Sequence, residues 1–555
     1  MFSSSLTTHL RARTAGDFAV AKVLSWAIEL ETVCALAPSK GREQDRAMHQ
    51  LTSVWGCVSD RLGMGSVVML GIVLALTVST CWILQAQRAK TRKANCGLLF
   101  PPGRVDLPYF IWDTLAFVRS HSRNELKTFF DQKVAKYGPI FKMSIMGDTI
   151  VLLDPPAGNK FLLSSSEYKL VRKGYPKSLA NLAVINSILT VDEETQKVVR
   201  RQLLSKFFGP ESLRRYVGKM ERNVLDHLQK HWLGKEETGE EICTQSLITT
   251  FTFRLIAELC FGLNEKSKSA QIEKLAHVFQ EWADGMLSFP INLPGFTFHR
   301  ALKAKAVLSD VVADLMASRR KDLKEGTATP DQDLLSVLLS HVQPDDDGQV
   351  WTDAFIQDNL VLFLYAGHDT TAATLTMTIS DIAKHPEVYT KLIEEHKLIA
   401  ASKQDGEPLK MDDLKNMTYT WQVVQESMRQ TTIIPLGYRQ ATRDFQYSGY
   451  TIRKGWKIFW SQDRTNRHPA FFDDPDKYEP SRFSPGTRPG PYVFLPFGAG
   501  SRICPGMEFA KTEILIFLHH FLMRFKWSLV DPDEKVIRVY MPCTKKGSPI
   551  RISKV

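Results

Sequence analysis

The chain has 555 residues, 44% of them hydrophobic and 24% charged, so it is long enough to bury one large core or to form two or three domains. Its eight cysteines show neither paired nor metal-finger spacing, which is typical of a protein in a reducing compartment. The net charge of +11 does not indicate nucleic-acid binding, because no basic stretch is interleaved with aromatic residues.

Residues 1–61 form an N-terminal extension with two interpretations. Residues 1–16 are rich in Ser, Thr and Arg and contain no acid, a composition typical of an organelle transit peptide. Residues 17–37 have amphipathic character, and their charged side chains exclude a membrane span. An over-extended gene model explains these residues equally well, so both interpretations remain open.

Residues 62–84 are apolar, and Cys81 is the only ionisable side chain among them. A stretch of about 20 apolar residues is long enough to cross a bilayer once as a helix. Lys and Arg residues cluster between positions 88 and 93, and the positive-inside rule then places the rest of the chain in the cytosol. We therefore predict a single-pass anchor at 62–84, for which a buried core helix is the alternative, and a basic, proline-containing hinge at 85–103.

The remainder of the chain has mostly helical periodicity. Residues 140–153 alternate in polarity after a Gly138-Pro139 turn, which predicts strands of a small sheet. Further helices are predicted at 191–208, 211–232, 246–263 and 301–323. Because this region contains neither repeats nor a long linker, residues 104–555 are expected to form one mainly helical domain with a minor β-sheet.

One long helix is predicted at residues 352–384. A Thr-Asp pair provides its start signal, and Pro386 follows its end. At 1.5 Å per residue this helix spans roughly 45–50 Å, enough to cross a whole domain.

The middle of this helix, residues 366–371, reads Ala-Gly-His-Asp-Thr-Thr. A glycine there costs about 1 kcal/mol relative to alanine, and threonine hydroxyls can bond back to the preceding turn, so a purely structural helix gains nothing from this segment. A helix that binds and activates dioxygen would, in contrast, benefit from these residues. Gly367 would leave room for the gas, Thr370 would hold it with a water, and Asp369 would help to pass protons inward.

Residues 497–506 place Cys504 on a glycine-rich loop that leads into an apolar helix, predicted from Met507 to about Phe525. The positive end of the helix dipole beside the sulfur favours the thiolate, which is the form that ligates metals. A thiolate on haem iron promotes cleavage of the O–O bond. The glycines of the loop would let the backbone approach a flat macrocycle, although a lone cysteine is more often a small buried hydrophobe.

The loop matches the pattern Phe-x-x-Gly-x-Arg-x-Cys-x-Gly at all five fixed positions, and it follows an Ala-Gly-x-Asp-Thr-Thr segment. The sequence therefore resembles the cytochrome P450 family of haem-thiolate monooxygenases from about Leu98 to the C terminus. The resemblance implies the mainly helical P450 fold with haem b between the long helix and the loop. It makes Cys504 the iron ligand, with Phe497 shielding the sulfur, and assigns Asp369 and Thr370 to oxygen activation.

Glu426 and Arg429 are a further point of resemblance to the family. They lie three residues apart and so share one helix face, where most such pairs are solvated surface contacts. The resemblance implies that Arg482, in the segment 478–483, completes a Glu-Arg-Arg cluster that locks the loop carrying Cys504. Each charge in a buried cluster depends on its partners, so loss of any one is expected to be costly.

The resemblance also assigns Arg439 and Arg502 to the haem carboxylates, for which a guanidinium fork is a natural partner. The alternative for Arg439 is a solvated strand residue. The chain departs from the family in helix 191–208, which usually offers a Trp or His four residues before an Arg. These positions are Gln196 and Arg200 here, so Arg200 is expected to contact a carboxylate, whereas the contribution of Gln196 is left open.

The substrate class follows from segments that border the pocket in the family and are apolar in this chain, namely 182–189, 289–295, 362–365 and 433–436. They indicate a lipophilic substrate, although each is also typical of a protein core. Residues 289–304 resemble the plant branch that oxidises triterpenoids, diterpenoids, brassinosteroids and abscisic acid. A tri- or diterpenoid hydroxylase is favoured, and a steroid-hormone or abscisic-acid hydroxylase is the alternative.

As a membrane-bound relative of this family, the protein is expected to receive electrons from an NADPH-dependent cytochrome reductase at the endoplasmic reticulum, with a plastid location as the alternative. Two other classes of haem-thiolate protein are alternatives. A haem-thiolate isomerase or dehydratase would need no proton relay through Asp369 and Thr370. A haem-binding sensor would need no Glu-Arg-Arg core around a substrate-sized cavity, so the sequence favours a monooxygenase.

Overall fold

The computed structural model describes residues 98–555 except 154, 165–169, 176–181, 183–185, 264, 287, 289–290, 341–350 and 405. The predictions for the extension 1–61, the anchor 62–84 and most of the hinge 85–103 therefore lie outside the described residues. Within the described part of the chain, none of the helices combines the length and the apolar character needed to cross a bilayer.

Helices dominate the described chain, as predicted. In chain order they are α1 (Leu107–Ser122), α2 (Leu126–Tyr137), α3 (Ala157–Leu163), α4 (Glu193–Lys206), α5 (Pro210–His231), α6 (Lys235–Thr238), α7 (Thr244–Phe261), α8 (Glu265–Asp284), α9 (Thr297–Glu325), α10 (Leu334–Ser340), α11 (Asp353–Lys384), α12 (Pro386–Ala401), α13 (Met411–Asn416), α14 (Thr418–Gln430), α15 (Gln462–Asn466) and α16 (Met507–Leu522). Helices α4, α5, α7 and α9 confirm four periodicity predictions, with ends that differ by one to four residues.

The long helix α11 confirms the prediction for residues 352–384. The Thr352 side chain caps its first turn by accepting a hydrogen bond from the Phe355 N–H at 3.2 Å. Helix α7 packs along α11, and both contribute to the main apolar core, for example through Leu255 and Leu375, which are fully buried. The middle of α11 therefore lies inside the helical part of the domain.

The strands form a minor component, also as predicted. They are β1 (Phe141–Ile145), β2 (Asp148–Leu152), β3 (Val171–Arg172), β4 (Ile242–Cys243), β5 (Leu436–Ala441), β6 (Phe445–Tyr447), β7 (Tyr450–Ile452), β8 (Lys457–Ser461), β9 (Phe525–Leu529), β10 (Val536–Arg538), β11 (Pro542–Thr544) and β12 (Pro549–Lys554). A five-stranded sheet has the order β1-β2-β8-β5-β3, and a three-stranded sheet has the order β4-β12-β9. Strands β1 and β2 are the pair predicted within 140–153.

The larger sheet positions the residues that flank the cysteine loop. Strand β2 pairs with β8 in parallel, with Val151 opposite Ile458, whereas β5 pairs with β8 in the antiparallel sense, with Arg439 opposite Ile458.

One predicted boundary was wrong. Helix α16 ends at Leu522 rather than near Phe525, because Phe525 begins β9 and pairs with Lys554 of β12.

Candidate active site

The loop of residues 497–506 folds back on itself and presents Cys504. The Cys504 N–H donates to the Phe497 carbonyl at 2.8 Å. Gly498 and Gly500 have φ angles of 73° and 71°, in the left-handed region that favours glycine, so the reversal depends on these two residues. Helix α16 starts three residues after Cys504, as predicted.

The Cys504 side chain is accessible to solvent although protein surrounds it on most sides, which places the thiol in a concave part of the surface. Burial raises the pKa of this thiol, whereas the Gly506 backbone N–H and the cations Arg200 and Lys173 act in the opposite direction. Coordination to a metal ion keeps a thiol deprotonated, so an accessible sulfur with these partners is suited to ligate the iron of haem b.

Positive side chains gather near this thiol. Arg200, on α4, donates through Nη1 to the Ile503 carbonyl at 2.6 Å, next to Cys504 in the chain. Arg439 is buried on β5, and its guanidinium lies 4.9 Å from the centre of the Trp460 ring. The solvated-strand alternative for Arg439 was therefore wrong.

Lys173 is a further cation near the Cys504 thiol. Burial lowers the pKa of Lys173 to about 7, and the nearby cations Arg502 and Arg439 lower it further. Clustered cations beside the loop fit the two carboxylates of haem b, which would relieve this repulsion. Sequence reasoning missed Lys173, because a single lysine after a two-residue strand gives no local signal.

Arg502 has a structural role that was not predicted. It forms an ion pair with Glu193 at 3.1 Å and donates to the Ile188 and Val191 carbonyls at 3.2 and 3.1 Å. These contacts tie the cysteine loop to the start of α4, in addition to any contact with a haem carboxylate.

Gln196 is buried on the same helix, four residues before Arg200. Its Nε2 lies 3.4 Å from the Ser501 carbonyl, and its Oε1 has no hydrogen-bond partner among the described residues. Gln196 therefore packs under the cysteine loop at the position where the family usually has an aromatic ring or an imidazole.

One face of α11 is open in its otherwise buried middle. Ala366 is exposed and Thr370, one turn later, is half-buried, whereas Thr371 is buried. The Thr370 hydroxyl donates to the Ala366 carbonyl at 2.7 Å, and the Thr371 hydroxyl donates to the Gly367 carbonyl at 2.9 Å. The Thr370 oxygen keeps its lone pairs, with which it can accept a hydrogen bond from a water.

Gly367 serves helix packing. A Cβ atom added at Gly367 would lie 2.9 Å from Cδ1 of Ile256 on α7, too close for a normal contact. The missing side chain lets α7 and α11 approach each other, a role that sequence reasoning did not assign. Space for a small ligand is provided next to Gly367 by the exposed Ala366.

Asp369 is buried and has two side-chain partners. Its Oδ2 accepts a hydrogen bond from the Tyr540 hydroxyl at 2.9 Å, and its Oδ1 lies 3.0 Å from Nε2 of His368. Sequence reasoning missed both partners. Tyr540 lies between β10 and β11, 171 residues along the chain, and no local pattern connects it to Asp369.

Glu426, Arg429 and Arg482 come together as predicted. Glu426 and Arg429 are completely buried on α14 and form two hydrogen bonds of 2.7 Å, Nε to Oε2 and Nη2 to Oε1. Arg482 approaches Glu426 less closely, with Nε 3.7 Å from Oε1.

The backbone partners of Arg429 and Glu426 explain why this pair is more than a surface contact. Arg429 also donates to the carbonyls of Asn466, Pro475 and Lys477 at 2.8–3.1 Å. Glu426 accepts from the Glu479 N–H at 2.7 Å. The cluster therefore fixes the irregular chain between α15 and the cysteine loop.

The apolar segments predicted to border the pocket divide into two groups. Leu182 and Leu362 are buried in the main core, and the Leu182 carbonyl accepts a hydrogen bond from the Trp282 indole N–H at 3.1 Å. For these residues the core interpretation was correct. Ile291 and Ile434 remain accessible, with 39% and 40% of their surface exposed, so they are free to contact a ligand.

Comparison with known proteins agrees with this geometry. The family model described as Cytochrome P450 matches residues 101–547. The taxane 13-alpha-hydroxylase of Taxus cuspidata is 38% identical over 83% of this chain and 93% of its own length, and a beta-amyrin 28-monooxygenase of Vitis vinifera is 36% identical over 88% and 98%. The solved structure of a retinoic acid-bound cyanobacterial CYP120A1 is 26% identical and covers 83% of this chain and 100% of its own, with a TM-score of 0.73.

The chain therefore belongs to the cytochrome P450 family. It is a monooxygenase with the mainly helical P450 fold, and its cofactor is haem b. Enzymes of this family take electrons from a redox partner and use dioxygen on lipophilic substrates.

Proposed function

We propose that this monooxygenase hydroxylates a terpenoid, either a tri- or a diterpenoid. The observation that carries the proposal is that relatives 36–38% identical over more than four-fifths of the chain are named for oxidation of taxanes and of beta-amyrin. Exposed Ile291 and Ile434 supply apolar contact surface for such a substrate. A steroid-hormone or abscisic-acid hydroxylase is the second candidate, because its substrate is also lipophilic.

Each site residue has a specific task in this proposal. Haem b, when bound, supplies the activation of dioxygen. Cys504 would ligate its iron, with Phe497 beside the sulfur, and Arg200, Arg439 and Arg502 would neutralise its carboxylates. The open face at Ala366, next to Gly367, would admit the gas, Thr370 would hold a water, and Asp369 would supply protons.

A substrate screen tests the proposal. The full chain would be expressed in microsomes with an NADPH-dependent reductase and supplied with beta-amyrin, taxanes, a steroid hormone and abscisic acid under ¹⁸O₂. Incorporation of one labelled oxygen atom into a terpenoid alone is expected. Labelling of the steroid or abscisic acid alone would favour the second candidate.

We also propose the domain organisation and location. Residues 62–84 anchor the protein once in the endoplasmic reticulum membrane, residues 85–103 form the hinge, and the domain 104–555 faces the cytosol. The lysines and arginines between 88 and 93 support this orientation, and a cytosolic domain has access to the reductase. A plastid location is the alternative, supported by the composition of residues 1–16.

Deletion of residues 1–61 is expected to leave the protein bound to membranes, because residues 62–84 alone provide enough apolar length. Fractionation of microsomes with a carbonate wash measures this attachment. As a control, deletion of residues 1–84 should release the protein. Soluble protein after the shorter deletion would show that targeting depends on the extension.

Thr370→Ala is expected to uncouple the reaction while haem and substrate binding stay near wild type. The half-buried hydroxyl would hold a water for proton delivery, and loss of one hydrogen-bonding group at a transition state commonly costs about 10²-fold or more. Product formed per NADPH consumed should therefore fall clearly, while hydrogen peroxide release rises.

Thr371→Ala is the matched control for this substitution. The Thr371 side chain is buried, points about 100° away around the helix and makes the same type of bond to a backbone carbonyl. It should keep the wild-type coupling ratio. Equal coupling in wild type and Thr370→Ala would show that protons arrive by another route.

A further inference from the structure

The Asp369 carboxylate is fixed from both sides. The Tyr540 hydroxyl donates to Oδ2 at 2.9 Å, and Nε2 of His368 lies 3.0 Å from Oδ1. The His368 and Asp369 side chains are only 2% and 7% exposed. Phe253 and Phe279 present ring edges to the imidazole, with centroid distances of 5.2 and 4.9 Å, so water has little access to the pair.

The partners of His368 hold its ring in place. Its Nδ1 is 2.8 Å from the Leu364 carbonyl oxygen, and since a carbonyl only accepts, Nδ1 carries a proton. Its Nε2 lies 3.0 Å from Oδ1 of Asp369. The imidazole is therefore packed against one carboxylate oxygen, while the Tyr540 hydroxyl donates to the other.

Tyr540 is suited to act as a permanent donor to this pair. Its ring stacks on Tyr365 with the centroids 6.5 Å apart. Burial raises the pKa of Tyr540 well above its ordinary value, and the Asp369 carboxylate, the hydrogen bond to it, Tyr365 and Asp284 act in the same direction. The phenol therefore remains protonated at neutral pH and donates to Oδ2.

We propose that His368, Asp369 and Tyr540 form one unit, in which Tyr540 is a positioning residue that keeps the Asp369 carboxylate in a single orientation against His368. This inference rests on the proposed role of Asp369 in supplying protons. Without the Tyr540 hydroxyl, Oδ2 loses its hydrogen-bond donor and the carboxylate is free to rotate.

Tyr540→Phe tests the unit, because it removes the hydroxyl and keeps the ring that stacks on Tyr365. Product formed per NADPH consumed should fall about tenfold, the range typical for loss of a partner that orients a functional side chain. A second readout needs no turnover. The infrared C–O stretching band of the carbon monoxide complex of the reduced enzyme should shift, because the freed carboxylate changes the polarity beside the gas.

Tyr216→Phe is the matched control. Tyr216 is also buried among aromatic rings, and its ring centroid lies 5.2 Å from that of Phe207. Its hydroxyl, however, has no hydrogen-bond partner among the described residues. Both readouts should stay at their wild-type values. If Tyr540→Phe fails to bind haem, His368→Gln tests the same unit, since glutamine lacks the ring that packs against Oδ1 of Asp369. It should show the same loss of coupling.

A double-mutant cycle separates this inference from the proposed role of Asp369. Adding Tyr540→Phe to Asp369→Asn should cause no further loss, because both changes disable one unit. Additive losses, or wild-type coupling in Tyr540→Phe alongside uncoupled Asp369→Asn, would overturn the inference and leave the role of Asp369 intact. Wild-type coupling in Asp369→Asn would instead remove the proposed role itself.

Discussion

Cys504→Ala is expected to abolish the red-shifted Soret band of the reduced carbon monoxide complex. That band depends on a thiolate ligand, which donates electron density to the iron. The side chain is accessible, so its truncation removes little packing, and the protein should still fold. Absorption spectra of the reduced protein with carbon monoxide measure the band, and circular dichroism checks the fold.

Cys243→Ala is the matched control for this experiment. Cys243 is the other exposed cysteine among the described residues, and its Sγ lies 3.7 and 3.6 Å from the carbonyl oxygens of Lys546 and Gly547. The variant should keep the red-shifted band. An unchanged band in folded Cys504→Ala would refute the assignment of the haem ligand.

Arg429→Ala is expected to prevent stable folding rather than to slow catalysis. Glu426 would remain fully buried with the more distant Arg482 as its remaining cationic partner, and the Asn466, Pro475 and Lys477 carbonyls would lose a donor. Breaking a buried ion pair by removing one partner costs about 3–5 kcal/mol, a large part of the roughly 5–15 kcal/mol that stabilises a typical domain. The yield of haem-containing protein should therefore collapse.

Lys415→Ala provides the comparison, because Lys415 forms a pair of the same spacing with Asp412 on the surface. Such exposed pairs contribute little, so this variant should accumulate like the wild type. Glu426→Gln should lie between the two, since it keeps a hydrogen-bonding group but removes the charge. Normal haem incorporation in Arg429→Ala would contradict the buried-cluster interpretation.

The parts of the fold and site that the sequence predicted are those that local patterns encode. The periodicity of 352–384 and its Thr-Asp start were enough to place α11. The three-residue spacing of Glu426 and Arg429 puts both on one face of any helix. The cysteine loop was recognisable because its glycines and its cysteine lie within one short segment, residues 497–506.

The parts that the sequence did not predict depend on contacts between distant segments. Tyr540 reaches Asp369 across 171 residues, and nothing near either residue indicates the other. Arg319 of α9 forms a buried ion pair with Asp333, the residue before α10, yet the sequence around either residue would fit a surface position equally well. For Gly367, the sequence indicated room for dioxygen but not the close approach of Ile256 on α7.

The contact between Arg200 and Ile503 has a consequence for biosynthesis. The two residues are 303 positions apart, so a ribosome that adds roughly 5–20 residues per second needs about 15–60 s to travel from one to the other. Strand β12 pairs with β4, which is translated much earlier, so the three-stranded sheet also forms late. Helix α4 consequently emerges long before its partner loop exists. The haem site can be assembled only after residues 497–506 have been translated, and until then the face of α4 that contacts this loop lacks its partner.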